Sequence, residues 1–383
     1  MNIVLFDGEE WEHLLPLTFT KPVASLRMGI LSFTERWEKI LNEKVSFKTQ
    51  NYLEEKFPIQ LQTENIFINP SYLPTEELIN TIKNLQLNQT ILHQDKIVAV
   101  KTDHNNPTIT EQVIQIENLI HIQNSWDLFT YNFQAIEFDF ELLTKDRVSQ
   151  PISETNRVLH PERIFLEEGA KVEFSILNAS EGPIYIGKDA EIMEGSMVRG
   201  GLALCEHAKI NMGAKIYSGC TVGPYCKVGG ELNNAILMAY SNKGHDGFLG
   251  NAVIGEWCNL GADTNNSNLK NNYAEVKLWS YKDRRFVKTG LQFCGLIMGD
   301  YAKSAINTQF NTGTVVGICA NIFQSGFPPN LIKHYSWGGN SDAPVFNLDR
   351  AYEAAEKMME RRKIALTSVD KKILEHIFNL NNN

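Results

Sequence analysis

The sequence predicts an α/β domain, then a solenoid β-helix of hexapeptide repeats, then a short helical tail. Three observations predict the solenoid. Ile186, Ile192, Val198, Leu204, Ile210, Ile216, Val222 and Val228 stand six residues apart without a slip. Small residues precede these aliphatics by two places at Ala190, Ser196, Ala208, Ala214, Cys220 and Cys226, with only Leu202 interrupting the series. Glycine divides the chain: Gly8 and Gly29 are the only two in the first 150 residues, and the other 24 lie between Gly169 and Gly339. A helix repeats at about 3.6 residues and a strand at two, so neither alone gives a period of six that separates small from branched positions. Stacked coils do, with the aliphatics inside and the small residues at tight turns.

The chain has 383 residues, enough for more than one domain. The boundary is expected near Gln150 and Pro151, which gives units 1–150, 151–340 and 341–383. A net charge of −9 without a long basic run argues against nucleic acid as a partner. No apolar run reaches the roughly 18 residues of a membrane span. The start, MNIVLFDGEEW, has neither a basic segment nor a small-residue cleavage site, so no secretory signal is expected. All six cysteines lie between Cys205 and Cys319 with no CxxC pair, and three of them occupy the small-residue register. They read as reduced packing residues, which points to the cytoplasm.

In the first unit, Ile3-Val4-Leu5-Phe6 reads as a buried strand followed by a loop through Lys21-Pro22. Residues 30 to 41 place Ile30, Phe33, Trp37, Ile40 and Leu41 on one helical face. The apolar runs 66–68 and 97–100 alternate with polar helical stretches such as 75–85, which predicts a largely parallel sheet. A strand, loop and helix at the chain start is a place to hold phosphates, but the loop is poor in glycine. Lys21 and Arg27 are the cations available to compensate, unless they are merely solvated.

The stretch LLPLTFTKPVASLRMGILSFTERWEKIL resembles the opening of sugar-1-phosphate nucleotidyltransferases. Phe6-Asp7-Gly8 stands in place of that family's glycine-rich loop, and Ile68-Asn69-Pro70 in place of its Gly-Asp metal-binding pair. The resemblance implies a nucleotidyltransferase-like domain, with Lys21 and Arg27 at the nucleotide phosphates and Mg2+ as cofactor if the domain is active.

Past residue 150 the repeat starts around Ile164 and Val172, locks at Ile186, breaks after Val228, resumes at Ile254 and Leu260, and breaks again until Met298. A rigid scaffold grafts function at such departures. At the first break, Gly244-His245 precedes Leu249-Gly250-Asn251-Ala252-Val253-Ile254-Gly255 and Asn259-Leu260-Gly261-Ala262-Asp263-Thr264. These residues resemble, in order and spacing, the acetyltransferase domain of the bifunctional UDP-N-acetylglucosamine pyrophosphorylase and glucosamine-1-phosphate N-acetyltransferase family. The resemblance implies a left-handed parallel β-helix that forms a homotrimer. It implies acetyl transfer from acetyl-CoA to an amino-sugar phosphate such as glucosamine 1-phosphate, coupled to formation of UDP-N-acetylglucosamine from UTP or another NTP.

His245 is then the catalytic base, because an amine attacks a thioester only after losing a proton and histidine titrates near working pH. Asn259, Asn268 and Lys227 would contact the sugar phosphate, and Ala262 would lie beside the acyl-CoA. The chain departs from the family at Phe248, in a tyrosine position, and at Lys227 and Gly229, where arginines are expected. The second break, 269 to 297, carries Lys277, Trp279, Tyr281, Lys282, Arg284 and Arg285, which suit either a nucleotide grip or a solvated hairpin.

In the tail, Leu348, Tyr352, Ala355 and Met359 show helical spacing, and Lys371 to Phe378 suits a second helix. Both are expected to cap or brace the solenoid end. Two other function classes stay open: a nucleotidyltransferase whose solenoid only mediates assembly, and a non-catalytic regulatory or scaffold protein.

Overall fold

The computed structural model describes residues 1–380. The first strand, β1 (Ile3–Phe6), is buried along its whole length, as an unbroken apolar run is in a sheet covered on both faces. A single turn, α1 (Glu10–His13), and a buried loop lead to α2 (Phe33–Leu41). Ser32 caps α2: its hydroxyl accepts from the Glu35 amide while the Glu35 carboxylate accepts from the Ser32 amide, so two orphan donors are satisfied. The helix buries Phe33, Arg36, Trp37 and Leu41, and it stops at Asn42 in the left-handed conformation.

Strands β2 (Val45–Lys48) and β3 (Asn65–Ile68), helix α3 (Glu76–Lys83), and strands β4 (Gln89–His93), β5 (Lys96–Thr102) and β6 (Gln112–Gln115) come next along the chain. The sheet order is β2-β1-β3-β5-β4-β6. Only β5 runs against its neighbours, so the sheet is largely parallel as expected. The chain leaves β1 toward β2 on one side and returns to β3 on the other. Strand order therefore reverses at the carboxyl ends of β1 and β3, where open α/β sheets offer a crevice. Helices α4 (Ser125–Thr130) and α5 (Asn132–Thr144) close the domain and pack against the solenoid, the Asn132 amide donating to the Gly219 carbonyl at 2.8 Å.

From β7 (Arg157–Leu159) onward, short strands stack into a parallel β-solenoid of about 10 turns. Ile186, Leu204, Val222, Leu237, Ile254, Met298, Val316 and Ile332 are successive partners in one interior column. The first steps, from 186 to 204 to 222, are three hexapeptides each, one per face of the prism. These side chains form one buried cluster that runs the length of the solenoid.

The corners use two kinds of residue. Left-handed backbone is supplied by Gly195 and Gly213 at one corner and by Asp189, His207, Tyr225, Tyr240 and Trp257 at another, and the small residues Ser196, Ala214, Ala190, Ala208, Cys226 and Cys258 lie immediately after six of these positions, buried. A non-glycine residue in that conformation costs about 1–2 kcal/mol. Stacking offsets it: His207, Tyr225, Tyr240 and Trp257 form a ladder with ring centroids 4.7, 5.2 and 4.1 Å apart.

The two breaks in the repeat are different objects. At the first, Val222 pairs with Leu237 and Leu237 with Ile254, steps of 15 and 17, so the coils are shortened while the ladder continues. At the second, the chain leaves the prism between Ile254 and its partner Met298 and inserts an antiparallel hairpin, Lys277–Ser280 against Arg285–Lys288.

The tail does not cap the solenoid. Helices α6 (Leu348–Glu360) and α7 (Ser368–Asn379) lie in the notch between the two domains. Their Ala351, Ala355, Met359, Ile373, Leu374 and Ile377 join a buried cluster shared with both domains. The Tyr335 hydroxyl donates to the Leu374 carbonyl at 2.8 Å, His376 stacks on Tyr52 at 4.0 Å, and Lys56 pairs with Asp370 at 2.8 Å. An apolar helical stripe packs where apolar ground is available, and the corner continuing through Tyr301, Cys319 and Tyr335 supplies it. No helix among the described residues is long and apolar enough to cross a membrane. All six cysteines are free and buried.

Candidate functional site

His245 lies on the corner between the two-residue strand Asn242–Lys243 and the strand Phe248–Ile254, in the shortened coils. It is exposed, and its ring makes no hydrogen bond to a described residue. The corner carrying Ala262 stacks on this one: the Asp263 amide donates to the Asp246 carbonyl at 3.0 Å, which sets Ala262 beside His245 in register. Asn259 faces outward in a column whose successive rungs are Lys227, Asn242, Asn259 and Lys303. Lys227 and Asn259 thus share the face that ends at the His245 corner.

Asn268 lies beyond that corner on the next face. Its amide donates to the Asn251 side-chain oxygen at 2.8 Å. Beside it Asn265 accepts from the Phe248 amide and Asn266 from the Gly250 amide, so this patch is a net of asparagine side chains. Phe248 packs over Gly250, and a Cβ at that position would run into the ring, which requires glycine.

Lys227 opens on a cavity of about 130 Å³ that it lines with Tyr240, Asn242, Trp257, Arg361 and Arg362. The two arginines come from the turn after α6. Arg362 lies over the Tyr225 ring at 5.8 Å and donates to the Tyr225 carbonyl at 3.1 Å. Among the described residues, no carboxylate pairs with Lys227, Arg361 or Arg362. The cavity is therefore lined by three cations without a contact ion pair, and the tail contribution to it was not expected from the sequence.

Lys21 and Arg27 are both buried and ion-paired within the protein. Lys21 is buried and pairs with Asp300 at 2.8 Å and Glu256 at 2.9 Å, both on the solenoid. Burial pulls its pKa down, but the two carboxylates outweigh burial and hold the ammonium charged. Arg27 pairs with Glu35 at 2.8 Å and donates to the Ile30 carbonyl. The sequence expectation put these cations at phosphates; in the structure both already have carboxylate partners within the protein. A basic residue in a loop gives no sequence sign that its partner lies hundreds of residues away.

The crevice between β1 and β3 holds a different set, which the sequence alone does not single out as catalytic. Asp7, after β1, accepts from the Val23 amide at 2.8 Å and from the Thr49 hydroxyl at 2.5 Å. Burial, aided by the nearby Glu10 charge, pushes its pKa up to about 7 against those hydrogen bonds. Glu10 is buried; burial would raise its pKa, yet His121 at 2.6 Å and Asn69 at 3.3 Å lower it overall. Tyr72 stacks on His121 at 4.1 Å. Gly8 admits this packing, since a Cβ there would collide with a Glu10 carboxylate oxygen.

The second-break hairpin closes on the first domain. Lys282 Nζ lies 3.0 Å from His13 Nε2, and Tyr281 stacks on His334 and meets Phe19 edge-on at 5.2 Å. Arg284 and Arg285 remain exposed. It is a clasp between domains with a charged tip.

Residues 3–148, the first domain, match the family model described as "Sugar nucleotidyl transferase". Part of the chain is similar to bifunctional proteins of the GlmU type. A "Bifunctional protein GlmU" of Methanocaldococcus jannaschii is 33% identical over 87 residues, 23% of this chain and 21% of that protein. A "Bifunctional sugar-1-phosphate nucleotidylyltransferase/acetyltransferase" of Sulfurisphaera tokodaii is 30% identical over 145 residues, 37% of this chain and 36% of that protein. The chain thus spans about a fifth to a third of the length of these relatives. A solved structure, an Arabidopsis UDP-N-acetylglucosamine acyltransferase, aligns with 56% of this chain and 80% of its own at 14% identity. Its TM-score of 0.24 is too low to carry weight.

Proposed function

We propose that this protein transfers an acetyl group from acetyl-CoA to the amine of an amino-sugar phosphate, with glucosamine 1-phosphate the leading substrate. The observation that carries the reading is the exposed His245 on a shortened coil, its ring without a hydrogen bond to a described residue, stacked in register on the Ala262 corner with Asn259 on the adjoining face. In this reading His245 accepts a proton from the amine as its nitrogen attacks the thioester carbonyl. The tetrahedral oxyanion takes hydrogen bonds from backbone amides of the neighbouring glycine-rich corners. Collapse breaks the carbon–sulfur bond, and the CoA thiolate takes up a proton. Lys227, Arg361 and Arg362 supply positive charge for a phosphate group of a bound substrate.

A second activity, nucleotidyl transfer in the first domain, is favoured by the family match over residues 3–148 and by the polar cluster at the strand-order reversal. A Mg2+ there would arrive with the nucleotide, needing only one or two carboxylates beside the substrate phosphates. Among the described residues no three His, Cys, Asp or Glu side chains converge on a metal-sized site. The Asp7 and Glu10 oxygens already accept protein hydrogen bonds.

Self-association fits the exposed apolar side chains on one solenoid face and its bordering corner. Phe174, Ile176, Met197 and Met212 are 63%, 48%, 45% and 71% exposed. A closed trimer would cover them in every copy.

The test measures free CoA thiol and pyrophosphate in parallel over a panel of sugar phosphates, with acetyl-CoA and nucleoside triphosphates supplied. Thiol release that requires both acetyl-CoA and an amino sugar supports the first activity. Its absence across the panel from folded protein refutes it, and pyrophosphate alone would favour the second.

A further inference from the structure

The interior columns of the solenoid are apolar almost throughout; besides the uncharged Ser304 and Asn266, one rung carries a cation. Along the column Val172, Ile192, Ile210, Val228, the next partner is Lys243, with Leu260 at its flank. Lys243 is 1% exposed. A cation placed where an aliphatic belongs costs free energy unless its donors are satisfied. Here they are: Nζ donates to the carbonyl oxygens of His245 at 2.6 Å, Gly229 at 3.1 Å and Asp246 at 3.1 Å. An ammonium has three donors and no acceptor, so the three carbonyls match it fully. Two of them belong to the His245 corner itself, which follows the shortened step from Val228 to Lys243.

We propose that Lys243 is a positioning residue for His245, its ammonium tying the corner backbone to the prism interior and fixing where the imidazole stands. The inference rests on the reading of His245 as the base. An aliphatic at this position would pack as well and hold nothing.

Protonation of Lys243 then governs the corner. Burial lowers its pKa to about 8, against the raising influence of Asp246 and Asp263. The other ionisable groups on the flanking elements, Lys227, Glu231 and His245, lie toward the outside, with Lys227 and His245 exposed and Glu231 half-buried. The neutral amine keeps two donors for three carbonyls, so one bond is lost as pH rises through about 8.

Two readouts on full-length Lys243→Met and parent test this. Hydrogen exchange of the segment 243–248, corrected for intrinsic rates, needs no activity: the parent should lose protection of this corner between pH 7 and 9, and Lys243→Met should lack it at every pH. Thiol release should fall at least about tenfold in Lys243→Met, and the parent's decline above pH 8 should be missing from the variant. The variant should melt at or above the parent temperature, because methionine suits the prism. Protection and pH profile unchanged in a folded Lys243→Met would overturn the role of Lys243. Altered exchange in a parent with no thiol release would instead remove the acetyl-transfer reading and retain Lys243 as the organiser of the corner.

Discussion

Asp7 is the residue whose surroundings are most at odds with its charge. Its pKa is raised from 3.8 to about 7 in the folded protein, so between those values the folded state binds the proton that the unfolded state has lost. Stability must then fall as pH rises from about 4 to 7, the reverse of an ion-paired carboxylate. Asp7→Asn keeps the shape, accepts from Val23 and removes the cost. Its unfolding free energy, from urea titrations, should exceed the parent's at pH 8 by on the order of a few kcal/mol and approach it at pH 4. An equal difference at both pH values would mean the charge is not responsible. Sequence shows Asp7 after a strand, but not the burial that makes it unusual. That His245 stands on an irregular, exposed corner was legible because a polar glycine-flanked motif falls where the repeat breaks. Lys243 was not, because the break hides the register that puts it inside; only the observed pairing with Val228 reveals it.

Among the elements, the loop 14–32 is bound to the solenoid by a buried charge cluster. Asp300 receives Lys21, the Thr20 hydroxyl and, through its other oxygen, the Glu256 amide. Asp300→Ala strands a buried ammonium with only the partly exposed Glu256 in reach, and removing one partner of such a pair typically costs about 3–5 kcal/mol. Urea unfolding should show that loss, and Lys21→Met added to Asp300→Ala should recover part of it. A loss under about 1 kcal/mol would mean that water reaches Lys21 and screens it. Strands β1, β3 and β5 and helices α2, α3, α6 and α7 were legible from apolar runs and helical spacing, since these are local. The location of the tail was not, because amphipathic spacing says that a face is buried and not against what. The same limit hid the hairpin's contact with His13 and Phe19.

For the whole molecule, the prism was legible almost coil by coil, because a period of six admits one architecture. The two domains share a cluster with the tail, so they should unfold as one cooperative unit. Assembly tests the exposed apolar face: light scattering at micromolar concentration should return three times the 43.4 kDa chain mass. Met197→Asp together with Ile176→Asp should return the monomer. Parent protein that is monomeric throughout would remove the trimer. Acetyl transfer at the His245 corner stands or falls on initial thiol release by His245→Ala beside the parent, at saturating acetyl-CoA and glucosamine 1-phosphate. The variant should be slower by about 10²- to 10⁴-fold, with melting temperature and acetyl-CoA binding unchanged, because the imidazole is exposed and contributes nothing to the interior. A folded, donor-binding His245→Ala that turns over at the parent rate would exclude this histidine as the base.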